Sequence, residues 1–294
     1  ILKKQGVLMA HFEETSIGYK TIFQKTFNDT NSEAKRLATE VKSNDLSEKY
    51  TWLGNFPNMK EWIGERDVKA LTDFGYALEN KLFEASVTVP NIHIEYDKVG
   101  LYKPAIEQMA INAKLFGSEL VGDVLVAGTT GLCYDGKPFF ANDHIVGTDT
   151  YANMSIGVLN SENIIAGRTF MQGIKNSSGK TLRVNPNLIV CGPSNLSNVI
   201  TSLQKEYKAG GETNTTYKMM DYLILPEITG NEWFMLDVAK PLRPFILQVA
   251  KDGLFEASND DKFMKDHALF GVKSFMNAGY GLWQLAYRFS GTAA

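Results

Sequence analysis

The chain has 294 residues, of which 44% are hydrophobic and 21% are charged, and its formal net charge at pH 7 is −3. This length suffices for one large domain or two smaller ones with a sizeable buried core. The charge balance lacks the basic excess of proteins that bind nucleic acids through their surface, and no apolar run is long enough to cross a bilayer. The chain begins with Ile1, so we expect either a proteolytic cleavage or further encoded residues before it.

The N-terminal region, residues 1–45, is predicted to be a mostly polar and helical arm. Within it, "SEAKRLATEV" predicts a helix over 32–41 with Ser32 as its N-cap and a narrow apolar stripe. The next stretch, "YTWLGNFPNMKEWIGER" at 50–66, holds two of the chain's four tryptophans but follows neither helical nor strand periodicity. Such a segment cannot bury its aromatic side chains on one regular face of its own.

Strands and a long helix are predicted next. Apolar residues alternate between Phe74 and Tyr96, which predicts β-strands with a break or bend at Pro90. A long helix follows, because Pro104 suits a first turn and apolar side chains recur every three or four residues over 106–124.

The second half of the chain mixes shorter elements. We predict a helix capped by Ser161, a buried strand at 187–192 and a helix that Ser194 caps. Two strands on either side of residues 229–231 are expected to pair with each other, and strict alternation over 283–289 predicts a C-terminal strand. Because these elements follow no regular βαβ order, the predicted fold class is α+β.

The two cysteines, Cys133 and Cys191, are far apart in the chain and form no CxxC pair. This pattern is typical of a reduced, cytoplasmic product. Both are predicted to be small apolar side chains of the core rather than disulfide partners.

The segment "GIKNSSGKT" at 173–181 invites comparison with a phosphate-binding loop. Such a loop has four residues between its first glycine and the Gly-Lys pair, whereas five separate Gly173 from Gly179 here. The segment also follows a predicted helix rather than a strand. We therefore predict a hairpin-type turn.

Two Asp-His pairs, Asp143-His144 and Asp266-His267, raise the question of a metal site. Adjacent residues on a strand point to opposite faces, and no third ligand lies at helical spacing. These side chains are therefore predicted to be polar turn residues, and no metal or cofactor is expected. The chain also lacks a GxSxG elbow and a cysteine in a recognisable nucleophile setting, so nothing in it predicts an enzyme.

The aromatic stretch at 50–66 is predicted to contact another protein chain, because exposed aromatic patches with a polar rim usually mark interfaces. Glu65 and Arg66 within it fit a buried acid or anion clamp. A salt bridge at the surface or between subunits explains these two residues better than a buried acid or an anion clamp does.

Several segments together resemble the major head subunit family of Mu-like phages and prophages. The W-L-G-x-F-P-x-x-x-x-W-x-G-E-R string and, independently, CYDGxPFFxxDH are specific. The departures are mild: Glu95-Tyr96-Asp97 stands where a more acidic run is expected, and the arm before residue 45 matches weakly. The matching segments occur in order over most of the chain and read "YTWLGNFPNMKEWIGER", "YALENKLFEASVTV", "IEYDKVGLYKPAIEQMA", "CYDGKPFFANDH" and "NAGYGLWQLAYRFSG".

The resemblance implies the capsid fold of tailed phages, the Hong Kong ninety-seven type. It assigns an N-terminal arm to 1–45, an extended two-stranded loop over the neighbouring subunit to 46–97, and a peripheral domain with a long spine helix to 98–184. Residues 185–242 would form the axial domain, and 243–294 would return to the peripheral domain as long strands. Because an extended loop has no core of its own, its side chains are expected to bury against another subunit. The expected interface residues are Trp52, Phe56, Pro57, Trp62, Glu65 and Arg66.

The function implied by the resemblance is that of a major capsid protein, which assembles into hexamers and pentamers of an icosahedral shell around double-stranded DNA. The implied partners are further copies of the chain, a scaffold or protease, a portal and decoration proteins, with DNA contacted non-specifically and no membrane. The implied location is the virion, after assembly in the bacterial host cytoplasm. Two alternatives stay open: a phage-derived protein compartment of the same fold, and a metal-dependent hydrolase that uses Asp143, His144 and His267.

Overall fold

The computed structural model describes residues 2–54, 75–96, 98–208, 210–259 and 266–292. None of the helices in these ranges is both long and apolar enough to span a membrane. The α-helices are α1 (Leu2–Asp29), α2 (Ala34–Leu37), α3 (Asn91–Glu95), α4 (Lys103–Val126), α5 (Ser161–Gly173) and α6 (Leu196–Leu203). The β-strands are β1 (Ala38–Lys42), β2 (Ser47–Lys49), β3 (Ala77–Glu79), β4 (Lys81–Pro90), β5 (His144–Val146), β6 (Asp149–Tyr151), β7 (Met154–Ser155), β8 (Leu188–Cys191), β9 (Asp221–Ile224), β10 (Trp233–Leu236), β11 (Phe245–Ser258), β12 (His267–Tyr280) and β13 (Ala286–Phe289).

A four-stranded sheet is built around the long antiparallel pair of β11 and β12. β4 pairs antiparallel with β12, and β1 lies parallel to β11, so the strand order is β1-β11-β12-β4. β11 shifts register near Lys251, and Gly253 there adopts a φ of 61°, which glycine tolerates because it has no Cβ. A Cβ at this position would lie 2.6 Å from the Phe27 ring, so Gly253 lets α1 approach the strand.

Helix α4 packs against this sheet. It begins at Lys103 with Pro104 in its first turn, and its buried side chains include Ile106 and Val121, which confirms the predicted long helix. Gly117 reduces helix propensity by about 1 kcal/mol relative to alanine. A Cβ on this glycine would lie 3.3 Å from the Leu247 side chain, so its absence permits close packing of α4 on β11.

Helix α1 packs on α4 and on the part of the β11–β12 hairpin that contains Phe255 and Phe270. Its buried Tyr19 and Phe23 form a second hydrophobic core with Phe255 and Phe270. The ring centroids of Tyr19 and Phe270 are 4.9 Å apart, and those of Phe23 and Phe255 are 5.3 Å apart. The helical character predicted for the N-terminal region is confirmed for α1, which lies on the rest of the chain through this core.

A five-stranded sheet has the order β7-β13-β10-β8-β9. β10 pairs antiparallel with both β8 and β13, and every residue of β8 and β10 is buried. The Trp233 ring of β10 stacks on Phe289 of β13 with centroids 4.0 Å apart. Because β13 comes from the C-terminal segment and β7 precedes α5, this sheet joins residues from three separate parts of the chain.

Two predictions in the N-terminal half are wrong. The helix predicted over 32–41 ends at Leu37, and the chain continues as β1, because pairing with β11 outweighs the local helical pattern. The strand predicted to continue to Tyr96 ends at Pro90, and the next five residues form α3. The buried Ile94 of α3 packs in the second core, so its apolar character reflects a helix face rather than a strand.

Further predictions in the C-terminal half need correction. β9 and β10 do not pair with each other, because β8 lies between them. The C-terminal alternation is a strand only in β13, since residues 283–285 form a 3₁₀ turn. Helix α5 is capped by Asn160, whose side chain accepts from the Asn163 N–H at 2.8 Å. Ser194 lies in a 3₁₀ turn and donates to the Gly230 carbonyl at 2.7 Å instead of capping α6.

The turn predicted at 173–181 is confirmed. Lys175 and Thr181 form an antiparallel bridge across it. The Asn176 side chain accepts hydrogen bonds from the Ser178 and Lys180 N–H groups at 3.0 and 3.1 Å. The Ser178 and Lys180 amides are therefore used within the turn.

Candidate functional site

The loop base, which we define as the ribbon of β2 and β3, is the first part of the candidate site. β2 and β3 pair antiparallel, and the Tyr50 N–H extends the pairing by donating to the Tyr76 carbonyl at 2.9 Å. The described residues stop at Gly54 on one strand and resume at Gly75 on the other. The residues on either side of 55–74 are thus joined next to the ribbon by the contact between Tyr50 and Tyr76.

Two tyrosines anchor the loop base to the four-stranded sheet. The Tyr50 hydroxyl donates to Gln248 Oε1 at 2.7 Å, and Gln248 Nε2 donates to the Leu78 carbonyl at 3.1 Å. Both Tyr50 and Gln248 are buried. The Tyr76 hydroxyl accepts from the Tyr280 N–H at 2.8 Å, and partial burial raises the pKa of Tyr76 to about 12. These contacts hold the ribbon of β2 and β3 against the four-stranded sheet.

Tyr50→Phe is expected to lower the free energy of unfolding by about 1–3 kcal/mol, because it leaves Gln248 Oε1 buried without its donor. Tyr207→Phe is the matched control, since Tyr207 is 58% exposed. Urea unfolding of the unassembled subunit measures both changes. Equal midpoints for the two variants would contradict the anchoring role of Tyr50.

Of the six predicted interface residues, the structure describes Trp52. Its side chain is half-buried and packs against the larger of the two hydrophobic cores, which includes Tyr50 and the buried residues of β8 and β10. The Trp52 ring lies edge-on to Tyr50 with centroids 6.0 Å apart. Trp52 therefore lies beside the loop base, just after β2, and packs on the subunit's own core. The other five, whose interface role stays a prediction, lie outside the described residues and are Phe56, Pro57, Trp62, Glu65 and Arg66.

A groove of about 710 Å³ lies between α4 and the edge strand β4. Phe83 and Phe116 meet in it with ring centroids 4.5 Å apart, and the exposed Leu115 adds to its apolar surface. Among the described residues that line this groove there is no lysine, arginine or histidine. Its carboxylates come from Glu33, Glu84, Glu119 and Glu227. The groove therefore combines apolar and acidic side chains.

The second part of the candidate site is a buried polar cluster, the Cys-Asp-His cluster of Cys133, Asp135 and His144. His144 Nδ1 lies 2.6 Å from Asp135 Oδ2, and the Cys133 thiol donates to Asp135 Oδ1 at 3.0 Å. The His144 ring is fully buried and stacks on Trp283 with centroids 4.1 Å apart and an interplanar angle of 8°. The prediction that His144 is a polar turn residue is wrong.

A tight turn brings the first two members of the cluster together. The Gly136 N–H donates to the Cys133 carbonyl at 3.0 Å, and Gly136 has a φ of 77°, which favours glycine. The Lys137 N–H donates to Asp135 Oδ1 at 3.1 Å and holds the carboxylate in place. His144, the first residue of β5, contributes the third side chain, so the cluster connects this turn to β5.

Burial and hydrogen bonding set the charges of the cluster. Burial raises the pKa of the Cys133 thiol well above its usual value, and the hydrogen bond to Asp135 adds to this. Burial also pushes the pKa of Asp135 upward, but hydrogen bonds from His144 and Cys133 outweigh it, so this pKa lies below its ordinary value. At neutral pH Cys133 is therefore a thiol beside a carboxylate, which is not an activated nucleophile.

Apart from His144, the residues of the two predicted Asp-His pairs do not belong to the Cys-Asp-His cluster. Asp143 is exposed and pairs with Lys137, and His267 is exposed at the start of β12. In the described part of the chain, the group of potential metal ligands around His144 includes neither of them. Both cysteines are free and buried, so the expected absence of a disulfide between them agrees with the structure.

A family model described as the Mu-like prophage major head subunit gpT matches residues 12–158, 150–228 and 226–292. The chain belongs to the Mu-like prophage major head subunit family. The resemblance carried by the two sequence strings is thus confirmed, and the head subunit is a structural protein of the phage capsid shell.

Two curated relatives cover nearly the whole head subunit. The Mu-like prophage FluMu major head subunit of Haemophilus influenzae is 29% identical over 279 residues, which are 94% of this chain and 71% of that protein. The major capsid protein of Escherichia phage Mu is 26% identical over 289 residues, which are 97% of this chain and 75% of that protein.

Solved structures confirm the predicted capsid fold. The procapsid subunit of bacteriophage JBD30 is 30% identical with a TM-score of 0.57, and the match covers 92% of this chain and 72% of that one. A virus-like particle from Pyrococcus furiosus matches 92% of this chain and 98% of its own with a TM-score of 0.54. Its identity is 12%, so this likeness shows the fold alone.

Sequence reasoning missed the Cys-Asp-His cluster of the head subunit, although one signal was present. All three members lie in the string "CYDGKPFFANDH", where a Cys-x-Asp pair precedes a histidine. The prediction searched for ligands at helical spacing, whereas the turn at Gly136 supplies the geometry. Trp283, which stacks on His144, is far away in sequence and gave no local signal.

Proposed function

We propose that the head subunit assembles into hexamers and pentamers that close an icosahedral shell around double-stranded DNA in the virion. The observation that carries this proposal is the family match over nearly the whole chain. The likeness to a phage procapsid subunit over 92% of the chain supports it independently. Assembly would take place in the bacterial host cytoplasm.

The proposed division of the subunit follows the resemblance, with one adjustment. The arm is 1–45, the extended loop 46–97, the peripheral domain 98–184 and 243–294, and the axial domain 185–242. Since β8, β9 and β10 share a sheet with β13 and β7, we add residues 286–289 and 154–155 to the axial unit.

The proposed interface is the extended loop, which reaches a neighbouring copy of the chain. In support, β2 and β3 form a ribbon whose ends are tied to the sheet, and the intervening segment carries Phe56, Pro57 and Trp62. Aromatic side chains cover much apolar area at low rotamer cost, which suits an interface. Glu65 and Arg66 would pair across it.

The shell protein is proposed to have no catalytic turnover. The relatives are named as a major head subunit and a major capsid protein. The buried Cys133 is a thiol rather than a thiolate, and His267 is not part of the group around His144. The hydrolase alternative needs Asp143, His144 and His267 together, but among the described residues the group around His144 includes neither Asp143 nor His267.

Further partners are proposed by analogy with the relatives. One matching structure is a JBD30 capsid decorated with minor capsid protein trimers. By analogy with it we infer that decoration proteins bind this shell, whereas a portal and a scaffold or protease are proposed from the family resemblance alone. DNA would be contacted without sequence specificity, because the formal net charge is −3.

Purified head subunit is expected to sediment at megadalton size and to appear as closed shells in negative stain. Particles recovered from phage-producing cells should protect double-stranded DNA from nuclease. Particles with protein cargo in place of DNA would favour the compartment of the same fold. A species of tens of kilodaltons under all conditions, with a hydrolytic activity lost in His267→Ala, would contradict the shell.

A further inference from the structure

The Cys-Asp-His cluster combines three kinds of donor atom that zinc prefers. A thiolate sulfur, an imidazole nitrogen and a carboxylate oxygen are the usual protein ligands of Zn²⁺. In this cluster one such atom from each side chain lies within 4.8 Å of the other two. The ligand set is therefore assembled by the fold.

The surroundings of His144 have the form of a second coordination shell. His144 Nε2 lies 3.3 Å from the Phe139 carbonyl, so the other nitrogen, Nδ1, is directed at Asp135. Metal-binding histidines commonly donate their second N–H to a carbonyl, which fixes the ring orientation. Stacking on Trp283 holds the ring plane further. The histidine is thus oriented as a ligand would be.

The charge of the cluster is suited to a divalent ion. The short contact between His144 and Asp135 needs one proton, because a carboxylate oxygen only accepts. The Cys133 thiol supplies a second proton to the other carboxylate oxygen. When one Zn²⁺ enters, the Cys133 thiol proton leaves to solvent and the His144 proton moves from Nδ1 to Nε2, which then donates to the Phe139 carbonyl, while Zn–S, Zn–N and Zn–O bonds replace the two hydrogen bonds to Asp135. The thiolate and the carboxylate balance the two positive charges of the ion, so no uncompensated charge is buried.

The geometry needs only a small rearrangement. Ligand atoms on a tetrahedral zinc ion are about 3.3 Å apart or more. The Nδ1–Oδ2 separation of 2.6 Å must therefore widen by less than about 1 Å. The Asp135 side chain is 14% exposed on a turn, so it can rotate, and water can take the fourth position from that side.

We propose that Cys133, Asp135 and His144 form a binding site for a zinc-class divalent ion, with water as the fourth ligand. The ion ties the turn at Gly136 to β5 and, through His144 and Trp283, to the C-terminal part of the chain. We expect the bound ion to raise the stability of the subunit, because it links these parts of the chain. The site is distinct from the loop base and from the acidic groove.

Titration of the purified full-length protein with Co²⁺ tests the site, because a cobalt–thiolate bond gives a charge-transfer band in the near ultraviolet. We expect the band at one Co²⁺ per subunit, its displacement by Zn²⁺, and a raised melting temperature with Zn²⁺. Cys191→Ala, which removes the other cysteine, should keep the band, whereas Cys133→Ala should lose it. Absence of the band in the unmodified protein, or its survival in Cys133→Ala, overturns the proposal.

Asp135→Asn provides a second variant in case Cys133→Ala does not fold, because it keeps side-chain size and removes the charge. Circular dichroism checks that the variant is folded. We expect its Co²⁺ affinity to fall at least about tenfold. An unchanged affinity would place the ion elsewhere and also overturn the proposal.

Discussion

Trp62→Ala is expected to give a soluble, folded subunit or capsomer that no longer closes into shells. Trp62 belongs to the segment between the two strands of the loop base, which we propose to bury against a neighbouring copy. Truncating a central aromatic of an interface typically costs about 2–4 kcal/mol. This loss recurs at every equivalent contact of a closed symmetric shell, so assembly should fail steeply.

Circular dichroism and sedimentation velocity on the same sample separate folding from assembly for Trp62→Ala. Trp52→Ala serves as a partial control, because Trp52 packs in part on the subunit's own core and should affect both properties. If Trp62→Ala is misfolded, or if it still forms normal shells, the proposed role of the loop in the interface is contradicted.

Trp233→Ala is expected to have the opposite effect and to unfold the subunit. Trp233 is fully buried, stacks on Phe289 at a centroid distance of 4.0 Å and donates through Nε1 to the Gly157 carbonyl at 3.1 Å. Removal of such a side chain costs about 3–5 kcal/mol, a large part of the stability of a typical domain. Urea unfolding should show a markedly lower midpoint or an insoluble product.

Trp233→Phe is the matched control for this second prediction. It keeps an aromatic ring on Phe289 and removes only the Nε1–H donated to the Gly157 carbonyl, which still accepts from the Gly291 N–H at 3.2 Å, so its loss of stability should be clearly smaller than that of Trp233→Ala. Equal stability of Trp233→Ala and the unmodified protein would show that β10 and β13 do not depend on this contact.

Elements with a strong local pattern could be predicted from the sequence. The apolar positions of α4 recur at helical spacing, and the short apolar run of β8 is bounded by turn residues, so both were expected at the right places. The C-terminal limit of α2 and the start of β1 were not predictable, because β1 exists through its pairing with β11, more than 200 residues away. Likewise, the position of β8 between β9 and β10 depends on topology rather than on local sequence.

The candidate site was predictable only in part, for similar reasons. The specific string that contains Trp62 indicated the capsid family, which is confirmed, while the interface that its aromatic composition indicates stays a prediction. The contact of Tyr50 with Gln248 joins residues that are 198 positions apart, and no periodicity could reveal it. The Cys-Asp-His cluster depends on a glycine with positive φ at Gly136, which changes the direction of the chain within two residues of Asp135.

The position of β13 inside its sheet has a consequence for the making of the subunit on the ribosome. β13 lies between β7 and β10 although it is the last described strand of the chain. During translation, the residues of β10 are synthesised well before residues 286–289 leave the ribosome. Until then, one edge of β10 has no partner strand, and the Trp233 ring has no Phe289 on which to stack. Nascent or prematurely terminated chains therefore present an open strand edge and cannot adopt the native packing of this sheet. Only chains translated through β13 would then fold into subunits that can assemble, so incomplete copies would not be incorporated into a growing shell.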